Sequence, residues 1–160
     1  IYEVGKKEKI NNFGTYAVNS LRMEKAYRGW GAELTGEISL VEAGMNRFFN
    51  LDKKNKFIGS DVLREKLQSG VDIKIAYLEI DVDDADARGN EPVYHNNKIV
   101  GVVTSGAYGF RVKKSLAFAY VNSDLVNEGT EFLIGIQDKK RKAKVVSSPL
   151  YDPENKRLKT

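Results

Sequence analysis

Pro92-Val93-Tyr94-His95-Asn96-Asn97-Lys98-Ile99-Val100-Gly101-Val102-Val103-Thr104 reads as two β-strands and the turn between them. Asn96-Asn97 supplies the turn, because asparagine tolerates the positive φ that a two-residue hairpin demands. Upstream, Ile73 to Val82 is rich in β-branched and aromatic residues, and Asp81 to Asn90 is acidic, small and turn-like. Downstream, Thr104-Ser105-Gly106-Ala107-Tyr108-Gly109 reads as a glycine-punctuated corner between strands. Ser115–Val121, Glu131–Ile136 and Ala143–Val146 follow as further strands, with Asp138–Lys142 as a charged turn. Short strands with turn signals between them predict a small antiparallel barrel or sandwich from about Gly70 onward.

The first 69 residues differ in character. Phe13, Ala17 and Leu21 recur at four-residue spacing with Val18 beside them, which predicts a helix over Phe13–Ala26 with that stripe inward. Gly14 and Thr15 start it, and Gly29 and Gly31 end it. Val41–Gly44 reads as a helical turn and Arg47–Leu51 as a short strand. Ser60 is an N-cap for a helix over Asp61–Gln68, with Val62, Leu63 and Leu67 facing the core and Ser69-Gly70 stopping it. The chain is therefore α+β: a short helical and mixed segment followed by an all-β domain.

Composition limits the chemistry. Among 160 residues there is no cysteine and one histidine, His95, so disulfides, thiolate nucleophiles and sulfur-ligated zinc are excluded. The apolar runs are too short to span a membrane as a helix. The chain starts without methionine and reads as a fragment of something longer. Its net charge of +4 is concentrated in residues 138–160, where eight Lys or Arg face three Asp or Glu. Without interleaved aromatics or a recognisable motif, this basicity reads as a solvated turn and tail rather than a nucleic-acid surface.

Ser20-Leu21-Arg22-Met23-Glu24-Lys25-Ala26-Tyr27-Arg28-Gly29-Trp30-Gly31 combines two arginines, a Glu-Lys pair and the only tryptophan. A guanidinium at Arg22 suits bidentate pairing with a carboxylate, either of a ligand or of the protein at Glu33 or Glu42. Glu24 and Arg28 have helical i,i+4 spacing and read as a structural pair. Trp30 reads as a buried anchor at the helix end, and His95 as an exposed residue beside its turn. Asp81, Asp83, Asp84 and Asp86 lack the closing Gly and Glu of a calcium loop and read as an acidic solvent loop. No phosphate-loop or dinucleotide fingerprint occurs.

The Leu21-Arg22-Met23-Glu24-Lys25 segment with Trp30-Gly31, then Glu42-Ala43-Gly44 and Phe57-Ile58-Gly59, resembles the glycine cleavage T-protein family. Thr104-Ser105-Gly106, Ser115-Leu116-Ala117-Phe118-Ala119-Tyr120-Val121 and Pro149-Leu150-Tyr151 continue the match across the chain. The branch it is most similar to is the C-terminal, folate-binding part of dimethylglycine and sarcosine dehydrogenases. The resemblance implies an antiparallel β-barrel for residues 70–160 and the tail of a folate-binding domain for residues 1–69. It also implies tetrahydrofolate as cofactor, a methylated amine as substrate and one-carbon transfer as the reaction, within an aminomethyltransferase or demethylating oxidoreductase. Arg22 matches the family's ligand-contacting arginine. Arg47 stands where the family usually has an aromatic folate contact, with Phe48 next, and Tyr151 sits in the closing segment. The family's catalytic aspartate and the dehydrogenases' FAD domain match nothing in these residues, so the chain alone is expected to be inactive. The expected location is the cytoplasm, or the mitochondrial matrix in a eukaryote, with neither membrane nor nucleic acid as partner. Two rivals stand beside this reading: a true glycine cleavage T-protein, and a barrel acting as a binding module, for RNA through Lys139–Lys144.

Overall fold

The computed structural model describes residues 1–147 and 149–159. It contains helices α1 (Tyr2–Gly5), α2 (Thr15–Glu24) and α3 (Ser60–Ser69), then strands β1 (Ile73–Ile80), β2 (Pro92–His95), β3 (Lys98–Gly109), β4 (Lys114–Asn122), β5 (Glu131–Ile136) and β6 (Lys139–Val145). The strands close into an antiparallel barrel in the order β1-β4-β3-β2-β5-β6. Closure leaves no free sheet edge.

Two of its turns follow directly from residue type. Asn96 and Asn97 take φ of 50° and 63°, as the hairpin requires, and Gln137 and Asp138 take 46° and 61° between β5 and β6. That second turn is tighter than the sequence suggested: β6 begins at Lys139, so most of the charged run lies in a strand. Lys142 and Lys144 alternate with the inward-facing Ala143 and Val145 and stay exposed, whereas Arg141 is partly buried and pairs with Asp84.

The glycine-punctuated stretch at 104–109 is not a corner. It forms the second half of β3, paired with β4 from Ser105↔Phe118 to Gly109↔Lys114. Gly106 serves close approach instead of a turn, since a Cβ there would lie 2.5 Å from the Ala87 carbonyl oxygen.

β1 and β4 are buried on both faces. Ala76, Leu78, Ile80, Ala117, Ala119 and Val121 fill the barrel, while Ile75, Tyr77, Leu116, Phe118 and Tyr120 face outward into a second apolar cluster. Met23 and Ala26 complete that cluster, which fastens the first segment to the barrel.

α2 lies on the barrel with the opposite face to the one its periodicity predicts. Ser20, Met23 and Glu24 are buried, whereas Phe13 is 72% and Leu21 55% exposed. Hydrogen bonds hold the inward face. Asn19 and Ser20 donate to the carbonyls of Gly106 and Tyr108, and the Glu24 carboxylate accepts from the backbone N–H of Arg111 and Val112. The helix also stops earlier, at Glu24. Ala26 adopts φ of 52°, and the N–H groups of Ala26 and Tyr27 donate to the carbonyls of Met23 and Arg22. This is the double-bonded left-handed C-terminal cap, with alanine where glycine is usual. Two further expectations fail locally. Residues Asn46–Phe48 form a 3-10 turn instead of a strand, and of the apolar residues of α3 only Leu63 is buried, Val62 and Leu67 being exposed.

Candidate functional site

The segment between α2 and β1 is organised around Glu33, which is 0% exposed. Its carboxylate accepts from Arg22 Nη1 at 2.7 Å, the Gly29 N–H at 2.7 Å, Thr104 Oγ1 at 2.7 Å, and the Ser105 hydroxyl. Successive strand residues normally point to opposite faces. A bulge between Val103 and Ser105 breaks that alternation and brings both Thr104 and Ser105 to one carboxylate. Burial pushes the Glu33 carboxyl up, but the hydrogen bonds from Ser105, Gly29 and Thr104 and the Arg22 charge outweigh it, and the net shift is downward. Glu33 is thus a buried anion with its acceptor sites filled.

Arg22 is committed to this arrangement. Besides Glu33, its Nε donates to Asn19 Oδ1 and its Nη1 to the Tyr27 carbonyl, leaving Nη2 without a hydrogen bond among the described residues. The protein-internal partner expected for Arg22 is therefore present, and it is Glu33. Glu42 instead pairs with Lys66 and Ser39. The loop that Glu33 holds at Gly29 carries Trp30, which is 81% exposed. Trp30 is accordingly not the expected packing anchor. Its ring is left largely open to solvent.

Across the Tyr27–Gly29 segment from Arg22 lies a cavity of about 560 Å³, lined by Lys25, Arg28, Arg47, Phe48, Pro149 and Pro153 among others. Arg47 and Phe48 are thus brought together, the guanidinium carbon 4.8 Å from the Phe48 ring centre. Tyr151 is not among the described residues that line the cavity. Its N–H donates to the Glu24 carbonyl, and Lys25 lies 6.0 Å from its ring. Lys25 is neutralised locally by the Asp152 carbonyl, Asn155 Oδ1 and the Asp152 carboxylate at 3.8 Å.

Arg28 is the residue that sequence reasoning misplaced. The helix ends before it, so no pair with Glu24 forms. Its Nε and Nη1 donate to the carbonyls of Ala43 and Ala26, and its guanidinium sits 5.2 Å from the Phe118 ring centre. No carboxylate pairs with Arg28 or Arg47 among the described residues. Burial lowers the Arg28 pKa; Tyr120 and Glu33 raise it, and the nearby Arg47 lowers it further. No sequence signal marked this, because Ala26 takes the left-handed cap position that glycine usually fills.

The other candidates are accounted for elsewhere. His95 Nδ1 is 2.9 Å from the Glu131 carbonyl oxygen. In the acidic loop, Asp84 pairs with Arg141 at 2.6 Å, and Asp86 accepts from the Ser115 hydroxyl. No described helix is long and apolar enough to cross a membrane.

Comparison with known proteins agrees with the fold. The family model described as the GCVT N-terminal domain matches residues 1–53, and that of the glycine cleavage T-protein C-terminal barrel domain matches residues 74–152. Human mitochondrial dimethylglycine dehydrogenase is 39% identical over 99% of this chain and 18% of its own length. An aminomethyltransferase of a Geobacillus species is 32% identical over 94% of the chain and 41% of its own length. The crystal structure of the glycine cleavage system aminomethyltransferase T from Bartonella henselae superposes with a TM-score of 0.86 at 25% identity, covering 94% of this chain and 42% of that one. The chain therefore spans about a fifth of the dimethylglycine dehydrogenase and two fifths of the aminomethyltransferases it matches. Two consecutive family models, the relatives and the closed six-stranded barrel agree: this chain belongs to the glycine cleavage T-protein family.

Proposed function

We propose that this chain is the C-terminal part of a tetrahydrofolate-dependent enzyme of the dimethylglycine or sarcosine dehydrogenase branch, passing a one-carbon unit from a methylated amine to tetrahydrofolate. Residues 1–69 close the folate-binding domain and residues 70–160 form its barrel. The supporting observation is the cavity at their junction, where two arginines with no carboxylate partner among the described residues flank an exposed phenyl ring. Its volume of about 560 Å³ lies within the roughly 300–1,000 Å³ usual for small-molecule sites. An anionic tail joined to a flat ring system fits those donors. Tetrahydrofolate supplies the acceptor of the one-carbon unit; the residues here bind and orient it. Arg22 offers its remaining Nη2 donor, Arg47 and Phe48 border the ligand, and Tyr151 backs Lys25 from the last segment.

In this reading the catalytic carboxylate and the FAD belong to other parts of the enzyme, and these residues alone do not turn over. The location is the cytoplasm or the mitochondrial matrix, the latter supported by the mitochondrial relatives. A true aminomethyltransferase of the glycine cleavage system is the second reading, supported by the Bartonella structure.

Calorimetry of the full-length enzyme with tetrahydrofolate tests the site. Arg47→Ala is expected to weaken binding by about 1.5–3 kcal/mol, the usual worth of a hydrogen bond to a charged group. Phe48→Ala is expected to cost about 1 kcal/mol through lost ring contact. A folded protein that takes up no tetrahydrofolate removes the reading.

A further inference from the structure

Four cations surround the Tyr27–Gly31 segment, and they differ in how far the protein already neutralises them. Arg22 is paired with buried Glu33, and Lys25 is held by Asp152 and Asn155. Arg28 and Arg47 have no carboxylate partner among the described residues, yet both line the same cavity. We propose that Arg28 and Arg47, rather than Arg22, seat the terminal carboxylates of the ligand, with Arg22 and Glu33 acting as positioning residues for the loop between them.

The inference rests on the folate reading above, whose ligand ends in a glutamyl group carrying two carboxylates at neutral pH. Two unneutralised guanidinium groups match two carboxylates, whereas a guanidinium already balanced by a buried anion gains much less from a second one. Arg28 is also preorganised. Carbonyls of Ala26 and Ala43 fix its Nε and Nη1, and the Phe118 ring lies under its plane. Its Nη2 makes no hydrogen bond among the described residues, and it lies beside Gly44, a cavity-lining residue with φ of 63°. A Cβ on Gly44 would come within 3.4 Å of that nitrogen, so the glycine keeps the approach to Nη2 open. Arg47 is exposed and forms no hydrogen bond among the described residues, which leaves its fork free to meet the second carboxylate. The mutual repulsion of Arg28 and Arg47 is relieved when a dianion lies between them.

The test compares tetrahydrofolate with tetrahydropteroate, which keeps the ring systems and lacks the glutamate. Binding to the full-length enzyme is read by calorimetry. The protein is expected to prefer tetrahydrofolate by at least tenfold, with the preference shrinking as salt is raised. Arg28→Gln and Arg47→Gln should each collapse the preference while leaving tetrahydropteroate affinity within about twofold. Arg28→Lys should restore it only in part, because an ammonium cannot bind bidentately. Arg22→Gln should weaken both ligands by the same factor and leave the preference between them unchanged. A folded Arg47→Gln protein that keeps the full preference overturns the inference while leaving the folate reading standing. Failure of the unmodified protein to bind either ligand overturns both. Arg47→Gln alters only an exposed turn, so the test holds even where Arg28→Gln fails to fold.

Discussion

Glu33 shows how much one carboxylate can decide. It draws a helix residue, a loop N–H and two hydroxyls of a bulged strand to one point, and so determines where Arg22 and Trp30 stand. Removing it leaves Arg22 without its counter-charge and two hydroxyls without an acceptor. Glu33→Ala is therefore expected to destabilise the protein by about 3–5 kcal/mol, measured by urea denaturation. The pH dependence follows from the same contacts. Because the folded protein holds the Glu33 carboxyl below its ordinary value, the stabilisation is complete above the unfolded value of about 4.3. It is lost as pH falls through the lowered folded value. Glu42, lowered by Ser39 and Lys66 against a burial effect that raises it, acts in the same direction. Denaturation midpoints should hold down to about pH 5 and fall below pH 4, and the fall should be shallower in Glu33→Ala. The sequence named Glu33 as one of two possible partners for Arg22. It did not reveal Thr104 and Ser105, because only a bulge brings adjacent strand residues to the same side.

At the level of the element, α2 carries the clearest disagreement between pattern and placement. The i,i+4 stripe of Phe13, Ala17 and Leu21 is real, but it faces out, and the barrel receives Asn19, Ser20, Met23 and Glu24. Periodicity identifies the two faces of a helix; it does not say which one a neighbour will cover. Here the neighbour offers the end of β3, whose unpaired carbonyls and turn N–H groups need polar partners. Leu21→Ser is accordingly expected to change stability by no more than about 0.5 kcal/mol and to lower binding of an apolar dye. Met23→Ala, which empties a fully buried position, is expected to cost about 2–5 kcal/mol. Equal costs for the two substitutions would contradict this orientation. The strands were read more successfully. Pro92–His95 and Glu131–Ile136 form as expected, since alternation and turn residues there are purely local signals. The second half of β3 escaped because its glycines serve close packing against Ala87 instead of chain reversal.

Across the whole molecule, two buried tyrosines join the first segment to the barrel. Tyr77 donates its hydroxyl to the Met23 carbonyl and Tyr120 to the Glu33 carbonyl, both at 2.8 Å. Burial pushes both phenols well above their ordinary value, with Glu24 adding to the effect at Tyr77 and Glu33 at Tyr120, against Arg28. As pH rises past about 10, the unfolded chain releases these protons first, so stability is full below that pH and declines above it. A denaturation midpoint that is flat to pH 9 and falls beyond pH 10 is expected, with a smaller fall in the Tyr77→Phe/Tyr120→Phe protein.

The amino-acid sequence by itself determined the barrel's hairpins, the order of its strands along the chain and the family to which the chain belongs. Those rest on turn residues and alternation that act over a few neighbouring positions, and on motifs whose order survives without coordinates. Tertiary structure alone decided which face of α2 is buried, that Glu33 neutralises Arg22, and that Arg28 and Arg47 share a cavity with no carboxylate partner among the described residues. Each depends on groups that no local pattern relates: the bulge in β3 brings Thr104 and Ser105 to Glu33, and the last segment brings Pro149 and Pro153 to the cavity of Arg28 and Arg47.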